Sequence, residues 1–390
     1  MFNTLIVHTN ELILKGGNRS FFERKLNDNL SRVLSGVPSL QLTGSHGGAV
    51  VFSAENDLSA DDLHKVRAAV SRVFGVAAFM FARRCRSDLG EIQATAAELS
   101  MGLRGTFKVS TRRRDKKFPI GSMEISAEVG GSVLDANAEL KVDVHDPEHV
   151  IEVSVDRRGS YVSIDREAGP GGLPTGTSGR VTCLLSGGID SPAAAWKLMR
   201  RGCEVVMVHF HSYPYVGAES LEKAERLARV LAGWQGKTRL HLVPLADVQR
   251  EIAAKCDESM RVVLYRRMML RIAERIAGRE GAKALVTGDA VGQVASQTLD
   301  NLATVSEAVT MPVFRPLIGD DKEDITRLAR RVGSYEISIE PHGDCCSLFM
   351  PKKPATHSSV DRALREERNF NVEDGVERAL VGTELKEITS

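Results

Sequence analysis

The chain has 390 residues, 42% of them apolar and 26% charged, with 52 Lys and Arg set against 51 Asp and Glu. At roughly 100–200 residues per domain this length implies two or three domains, and the composition excludes disordered and collagen-like classes. A net charge of +1 excludes a uniformly basic protein, so any nucleic-acid site must be a local patch. The longest apolar run, Val73–Ala82, is about half of what a membrane span needs, and MFNTLIVHTNEL at the start does not read as a secretory signal. None of the six cysteines is paired as C-x-x-C, which argues against a zinc ribbon or thioredoxin motif and for a reducing, cytoplasmic setting.

In chain order, the apolar run Leu5–Val7 predicts a first strand, and Gly16-Gly17 a break. Phe21, Phe22, Leu26, Leu30 and Val33 then recur at helical spacing. Strands near Leu40–Leu42 and Ala49–Phe52 complete a β-α-β-β pattern, which predicts a small ferredoxin-like unit over residues 1–60. Residues 61–166 read as a second α+β unit. It has helices near Asp61–Val73, Leu89–Met101 and Met123–Asn137, and strands at Thr106–Thr111, Leu140–Val144, Val150–Val155 and Ser160–Ile164. Glu167–Gly179, EAGPGGLPTGTSG, predicts a linker.

From residue 180 strands and helices alternate. Val181–Leu185, Glu204–Phe210, Arg239–Pro244 and Ala284–Thr287 read as strands, with helices at Pro192–Arg201, Leu221–Ala232 and Val248–Arg279, the last being one helix or two. This alternation predicts an α/β, doubly wound parallel sheet over 180–390, with helices on both faces. Basic residues gather at Lys108–Lys117 (KVSTRRRDKK), at Arg83, Arg84 and Arg86, and on a helix face bearing Arg261, Arg266, Arg267, Arg271, Arg275 and Arg279. Each cluster, taken singly, is commonly a solvated face.

The chemistry concentrates in Ser186-Gly187-Gly188-Ile189-Asp190-Ser191-Pro192, set between a buried strand and a helix. Two glycines allow a tight turn, Pro192 suits a first helical turn, and backbone N–H groups with serine hydroxyls at a helix N-terminus make a phosphate site. The one Gly-Lys-Thr, at Gly236–Thr238, is not a Walker A loop, because position 231 is Leu and the segment lies between a helix and a strand.

SGGIDSP resembles the hallmark of the PP-loop ATP pyrophosphatases. That resemblance implies a nucleotide α-hydrolase-like fold and cleavage of ATP between its α and β phosphates. Further stretches narrow it: ELILKGGNR, TFKVSTRRRDKKFP, LPTGTSGRVTCLLSGGIDSPAAAW, VMVHFHSYPY, YRRMMLRIAERIA, ALVTGDAVGQVASQTLDNL and RPLIGDDKEDI. In this order, over nearly the whole chain, they resemble the tRNA 4-thiouridine synthetases, in which a THUMP RNA-binding domain (here 61–166) precedes the PP-loop domain. The resemblance implies an ATP-dependent tRNA sulfurtransferase using ATP and Mg²⁺. It would adenylylate the C4 oxygen of the uridine at tRNA position eight and replace it with persulfide sulfur from a cysteine desulfurase. A long form of the family adds a rhodanese domain, for which this sequence has no room. That puts the family's link to thiamine thiazole synthesis in doubt.

By the same resemblance, Ser186, Gly187, Gly188 and Ser191 would hold pyrophosphate, and Asp190 would act through Mg²⁺ or by orienting phosphates. Leu184, Leu185, His209, Phe210, Arg266, Gly288 and Gln297 match the remaining ATP positions. Their plain readings are core packing for the leucines and Phe210, a strand-end histidine, a surface salt bridge, a strand-end turn and a helix polar face. Lys108, Arg112, Arg113, Arg114, Lys116 and Lys117 would contact tRNA phosphates. Cys345 or Cys346, in HGDCCSLFMPKKP, would take part in sulfur transfer. Cys183 and Cys203 read as buried. Only Cys256 precedes Tyr265 in KCDESMRVVLYRR, so no iron–sulfur cluster and no protein metal centre is expected. The rival readings are an amidating or other RNA-modifying PP-loop synthetase, against which the THUMP-like segment speaks, and a non-catalytic tRNA-binding protein, against which the complete SGGIDSP speaks. No membrane partner is expected, and a homodimer is left open.

Overall fold

A computed structural model describes residues 2–389 except 47, 158, 216 and 342–348. Two compact units divide the chain, Met1–Pro174 and Thr175–Ser390. Among the described residues no helix is long and apolar enough to cross a membrane.

The first unit runs β1 (Thr4–His8), α1 (Arg19–Val33), β2 (Gln41–His46), β3 (Ala49–Ser53), α2 (Ala60–Val70), β4 (Ala78–Cys85), α3 (Leu89–Ser100), β5 (Gly105–Arg113), α4 (Ser122–Ala136), β6 (Leu140–Val142), β7 (His149–Asp156), β8 (Gly159–Ile164) and β9 (Glu167–Ala168). The two small units expected from the sequence share one sheet, ordered β2-β3-β1-β4-β8-β7-β5-β6, with β9 also on β4. The seam is the antiparallel pair β4–β8, where Ala82 faces Ser163 and Cys85 faces Ser160. The period-2 alternation explains which face is covered. Leu5, Val7, Phe79 and Phe81 turn to one face and bury against Leu26, Leu30, Val66 and Val70 of α1 and α2. Phe107, Ile151, Val153 and Val162 bury against Ile92, Ala96, Ile125 and Val129 of α3 and α4.

The predicted linker is held in place. Gly75 and Gly171 exchange backbone hydrogen bonds with the β4 lead-in: Gly75 N–H donates to Gly171 C=O at 2.9 Å and Gly171 N–H to Val76 C=O at 2.8 Å. A Cβ on Gly169 would fall 2.3 Å from the Val76 carbonyl oxygen. Past the unit boundary, the N–H groups of Gly176, Thr177 and Ser178 all point to the Gly202 carbonyl.

The second unit runs β10 (Arg180–Leu184), α5 (Asp190–Arg200), β11 (Glu204–His211), α6 (Glu219–Gln235), β12 (Lys237–Pro244), α7 (Ala246–Lys255), α8 (Arg261–Arg279), β13 (Leu285–Val286), α9 (Leu299–Ser306), β14 (Val313–Phe314), α10 (Lys322–Val332), α11 (Tyr335–Ser338), α12 (Val360–Glu367), α13 (Val372–Val381) and β15 (Glu384–Thr389). Its sheet is ordered β14-β13-β10-β11-β12-β15. The first five strands are parallel, as the alternation predicts, and β15 adds an antiparallel edge that the sequence reading missed. The long helical stretch is two helices, broken at Cys256–Met260, where Asp257 caps a short 3-10 turn. On α5, Ala193, Ala194 and Ala195 are fully buried, and the small side chains let the helix lie close to the sheet. Trp196 then stacks edge-on against Trp234 at 5.4 Å.

The basic face predicted on α8 is divided: Arg266, Arg267 and Arg271 are turned into ion pairs with little exposure, whereas Arg275 and Arg279 stay exposed. Arg267 is fully buried on Glu367 and Glu307, Arg271 shares Glu367, and Arg275 reaches Glu373 and Glu377. The pairs with Glu367 and Glu373 bind α8 to helices about 100 residues later in the chain, and the pair with Glu307 reaches the end of α9, 40 residues on.

Candidate active site

The site grows from the end of β10. Val181 and Cys183 are buried in the sheet, Leu185 still donates its N–H to the Val208 carbonyl, and the chain then turns through Ser186–Ile189 into α5. Ligands in open parallel sheets bind beyond these strand ends, and the free N–H groups of the α5 N-terminus favour an anion there. Pro192 falls in the first turn, where no N–H is required.

The two serines act on the loop itself. Ser191 Oγ, buried, accepts from Ser186 N–H at 2.8 Å and lies 3.0 Å from Ser186 Oγ. Gly188 N–H points at Ser186 Oγ from 3.4 Å, and the Ser338 hydroxyl of α11 donates to the Gly188 carbonyl. The hydroxyls therefore shape the turn, and the backbone amides are its anion-facing donors. A Cβ on Gly188 would meet nothing closer than 3.7 Å, so protein packing leaves space over this residue. Gly288 is the opposite case: a Cβ there would lie 2.7 Å from Ser191 N and 2.8 Å from the Asp190 carbonyl carbon. The β13 end can approach the loop only as glycine.

Asp190, the first residue of α5, is held at both oxygens. Lys322 Nζ donates to Oδ1 at 2.9 Å and Gln293 Nε2 to Oδ2 at 2.9 Å. Neither partner was singled out from the sequence. The signal for Lys322 was a lone base in the acidic run GDDKEDI, at the start of a helix capped by Asp321. His209, two residues before the end of β11, has Nδ1 2.9 Å from the Leu185 carbonyl, an acceptor, so Nδ1 carries the proton. Phe210 is buried with Val208, Val243 and Leu245, which is its plain core reading.

A second polar group lies just past β13. Asp289, only 5% exposed, accepts at Oδ1 from Arg266 Nη2 at 2.5 Å and Gln297 Nε2 at 3.3 Å. Its Oδ2 accepts from the Thr287 hydroxyl at 2.7 Å and Arg315 Nε at 3.2 Å. Burial works against this charge, but Arg266, Thr287 and Arg315 outweigh it and hold the carboxyl below the usual range. Gln297 Oε1 is buried with no hydrogen-bond partner. A cavity of about 30 Å³ opens here, lined by Arg266, Thr287, Asp289 and Arg315 and by the apolar Leu184, Met269, Leu270 and Val305. Phe210 apart, which lies in the core, the predicted ATP residues fall into two groups: the loop with Asp190, to which His209 is joined through the Leu185 carbonyl, and the Arg266–Gln297 cluster beside Leu184, with Gly288 next to both.

The first unit carries its own feature on the bare sheet face. Alternation turns Ile6, His8, Met80, Arg84, Ser110, Arg112, Glu152, Ser154, Tyr161 and Ser163 outward, and they line a groove of about 690 Å³. Arg84, Arg112, Arg114, Arg157 and Arg166 border it against the acids Glu152 and Asp156. Of the six predicted tRNA contacts, Arg112 and Arg114 line the groove. Lys108 shares Arg112's face of β5, and Lys116 and Lys117 are exposed beyond the strand. Arg113 points the other way and donates to the Phe118 and Ile120 carbonyls at 2.9 and 3.0 Å. His8 in the groove is pushed down to about 4, by burial first and by the Arg166 charge next.

Cys345 and Cys346 lie outside the described residues. The described cysteines are poor thiolate sources. Burial pushes Cys183 up to about 12 and, with Glu366 nearby, Cys256 to about 11, and it raises Cys85 and Cys203.

A parallel sheet with an SGGIDSP turn at its carboxyl edge, a carboxylate in the first turn of the helix that follows and a separate THUMP-type sheet defines the class: a PP-loop enzyme fused to an RNA-binding module. Comparison with known proteins agrees over the whole length. Residues 176–372 match the family described as thiamine biosynthesis protein (ThiI), 88–165 the THUMP domain and 4–80 the ThiI ferredoxin-like domain. The "Probable tRNA sulfurtransferase" of Thermoanaerobacter pseudethanolicus is 43% identical over 95% of this chain and 96% of its own. That of Thermus thermophilus is 44% identical over 96% and 91%. Among solved structures, a 4-thiouridine synthetase–RNA complex with bound ATP superposes with a TM-score of 0.91 at 35% identity, covering all of both chains. PH1313 from Pyrococcus horikoshii shares the fold at TM-score 0.65 and 23% identity, over 85% and 99%. The chain belongs to the ThiI family of tRNA sulfurtransferases.

Proposed function

We propose that this chain is an ATP-dependent tRNA sulfurtransferase that forms 4-thiouridine, at position eight by family resemblance. The observation that carries the reading is the stapled Ser186–Ser191 turn at the sheet's carboxyl edge, with Asp190 fixed by Lys322 and Gln293. The loop amides would take the pyrophosphate of ATP, and Lys322 would neutralise charge on the departing phosphates. His209 and the β10 and β11 ends would border the adenine; Phe210, being buried, would act through its backbone. Gln297 Oε1, buried and lacking a partner, suits an N–H of the nucleotide.

Mg²⁺ fits this site in one way. Asp190 offers a single carboxylate, and among the described residues no cluster of three metal-ligating side chains exists. An ion held by one carboxylate plus substrate phosphates is the usual arrangement for Mg²⁺. When bound it would supply charge neutralisation across the phosphates.

The uridine C4 oxygen attacks the α-phosphorus and pyrophosphate leaves. The bound adenylate turns that oxygen into a leaving group, sulfur attacks C4, and AMP departs. A persulfide made by a cysteine desulfurase would deliver the sulfur, with a further thiol cleaving the S–S bond. Because the described thiols resist ionisation, Cys345 or Cys346 is the proposed carrier. Domain limits of 1–60, 61–166 and 180–390, with 167–179 between, remain part of this proposal, as do a reducing cytoplasmic setting and a homodimer. The groove of the first unit would grip tRNA by phosphate contacts and shape.

Nucleoside mass spectrometry of tRNA from cells with and without the protein tests the assignment; loss of 4-thiouridine is expected, and unchanged 4-thiouridine would refute it. For the carrier, a Cys345→Ser, Cys346→Ser double variant is expected to lose activity with desulfurase and cysteine but keep it with free sulfide. Equal activity of variant and parent with desulfurase would remove the relay.

A further inference from the structure

The Asp289 cluster holds more positive charge than its own carboxylate neutralises. Two guanidiniums converge on one buried carboxylate. Arg266 arrives from α8 and is only 15% exposed, and Arg315 arrives from the segment after β14 and is equally buried. Each is fixed at a second point. Arg266 Nη1 donates to the Ser296 carbonyl at 2.8 Å, and Arg315 Nη2 donates to the Ser306 hydroxyl at 2.8 Å. Asp289 has all its acceptor sites occupied by Arg266, Gln297, Thr287 and Arg315. The carboxylate cannot take a further ligand. It serves instead as the shared anchor of both cations.

A buried guanidinium pair with one counter-charge carries a net positive charge, which is costly to leave uncompensated in a low-dielectric site. The other ion pairs of this unit show the usual solution. Arg267 and Arg271, for instance, share Glu367, and Arg267 also has Glu307. No second carboxylate joins Arg266 and Arg315 among the described residues. The cluster also borders a cavity of only about 30 Å³, whose other walls are Leu184, Met269, Leu270 and Val305, at the strand end that leads into the phosphate loop. Its backbone reaches the loop directly, since Gly288, next to Asp289, packs against Ser191 and Asp190.

We infer that Arg315 is a second nucleotide-binding cation, paired with Arg266, and that Asp289 is the positioning residue that locks both guanidiniums for an anionic group of the bound nucleotide. The inference rests on the ATP-dependent reading above. It adds to that reading two residues of different standing: Arg315, which would touch the nucleotide, and Asp289, which acts through the arginines. Arginine suits the role because its planar fork can hold Asp289 through one edge and present the remaining N–H groups to a ligand.

The test is an equilibrium binding cycle on the full chain, with a non-hydrolysable ATP analogue as probe and tRNA affinity as the control. Arg315→Ala is expected to weaken analogue binding roughly tenfold, about the value of one charge-assisted hydrogen bond, with Arg315→Lys intermediate. Asp289→Asn is expected to weaken it by a similar factor in the parent, but by less than about twofold when Arg266 and Arg315 are both already alanine. A structural role for Asp289 would give the same factor in both backgrounds and would overturn the positioning claim. Unchanged binding in Arg315→Ala would overturn the second cation. Should Asp289→Asn fail to fold, the Arg315→Ala and Arg315→Lys pair decides alone. Failure of this inference is distinguishable from failure of the ATP reading: a protein that binds no analogue even in its parent form refutes the latter, whereas normal parent binding with silent Arg315 variants refutes only the former.

Discussion

The two units use arginine in opposite ways. In the first, arginines stand on the bare face of a sheet, and Arg112 and Arg114 form no ion pair among the described residues. In the second, Arg266, Arg267 and Arg271 of α8 are folded inward onto Asp289, Glu307 and Glu367. The difference follows from the sheets. The first sheet has helices on one face, so alternate residues of each strand face water and can meet a polyanion. The second sheet is covered, so a cation there needs a built-in partner, and open chemistry is confined to the strand ends. One surface is suited to gripping a large charged ligand, and the other to positioning a small one.

The contrast can be broken most severely at Asp190. Asp190→Ala is expected to lower tRNA-dependent pyrophosphate release by roughly 10²–10³ or more while tRNA affinity stays within about twofold. Parallel loss of RNA binding would mean the two surfaces are not separable. Next, Glu367→Ala leaves Arg267 and Arg271 without their shared carboxylate. Chemical denaturation is expected to register a loss of about 3–5 kcal/mol, as for other broken buried pairs, with analogue affinity of the folded protein little changed. A stability loss below about 1 kcal/mol would mean the α8 pairs behave as surface charges.

On the first unit, Arg112→Ala with Arg114→Ala should weaken binding to all tRNAs alike and flatten the salt dependence by about two, one for each lost phosphate contact. Arg113→Ala sharpens the comparison. Its guanidinium serves the Phe118 and Ile120 carbonyls, so it should lower the unfolding temperature and leave the salt slope unchanged. An altered slope in Arg113→Ala would show that the face assignment does not govern RNA contact. The smallest effect concerns His8. Its folded value lies near 4, below the ordinary 6.5, so the unfolded chain takes up a proton first as pH falls. Its contribution to stability is therefore complete above about 6.5 and lost on going down to about 4. His8→Gln should flatten the fall in unfolding midpoint over that window; an identical pH profile would place the histidine outside the groove's field.

Much of this was legible in the sequence because it is local. Strand-forming runs marked β5, β7 and β8, and the strand–SGGIDSP–helix order located the phosphate loop. What was not legible depends on partners distant in sequence. Lys322 meets Asp190 across 132 residues, and Glu367 meets Arg267 across 100, so the sequence displays a basic helix face where the fold makes a buried ionic seam. Glu167–Gly179 has linker composition, yet Gly169 is required by its close approach to Val76, and Gly171, Gly172, Gly176 and Gly179 adopt positive φ. β15 reads as a polar tail because an antiparallel edge strand buries little of its own surface. The TRRR run shows why spacing alone misassigns contacts: neighbouring arginines on a strand point to opposite faces.

The central claim is that ATP is cleaved between its α and β phosphates to activate a tRNA uridine. Purified protein supplied with ATP, free sulfide and unmodified tRNA is expected to release AMP and pyrophosphate, each equal in amount to the 4-thiouridine formed, and to release neither without tRNA. Formation of ADP and phosphate, or of 4-thiouridine without AMP, would contradict the account.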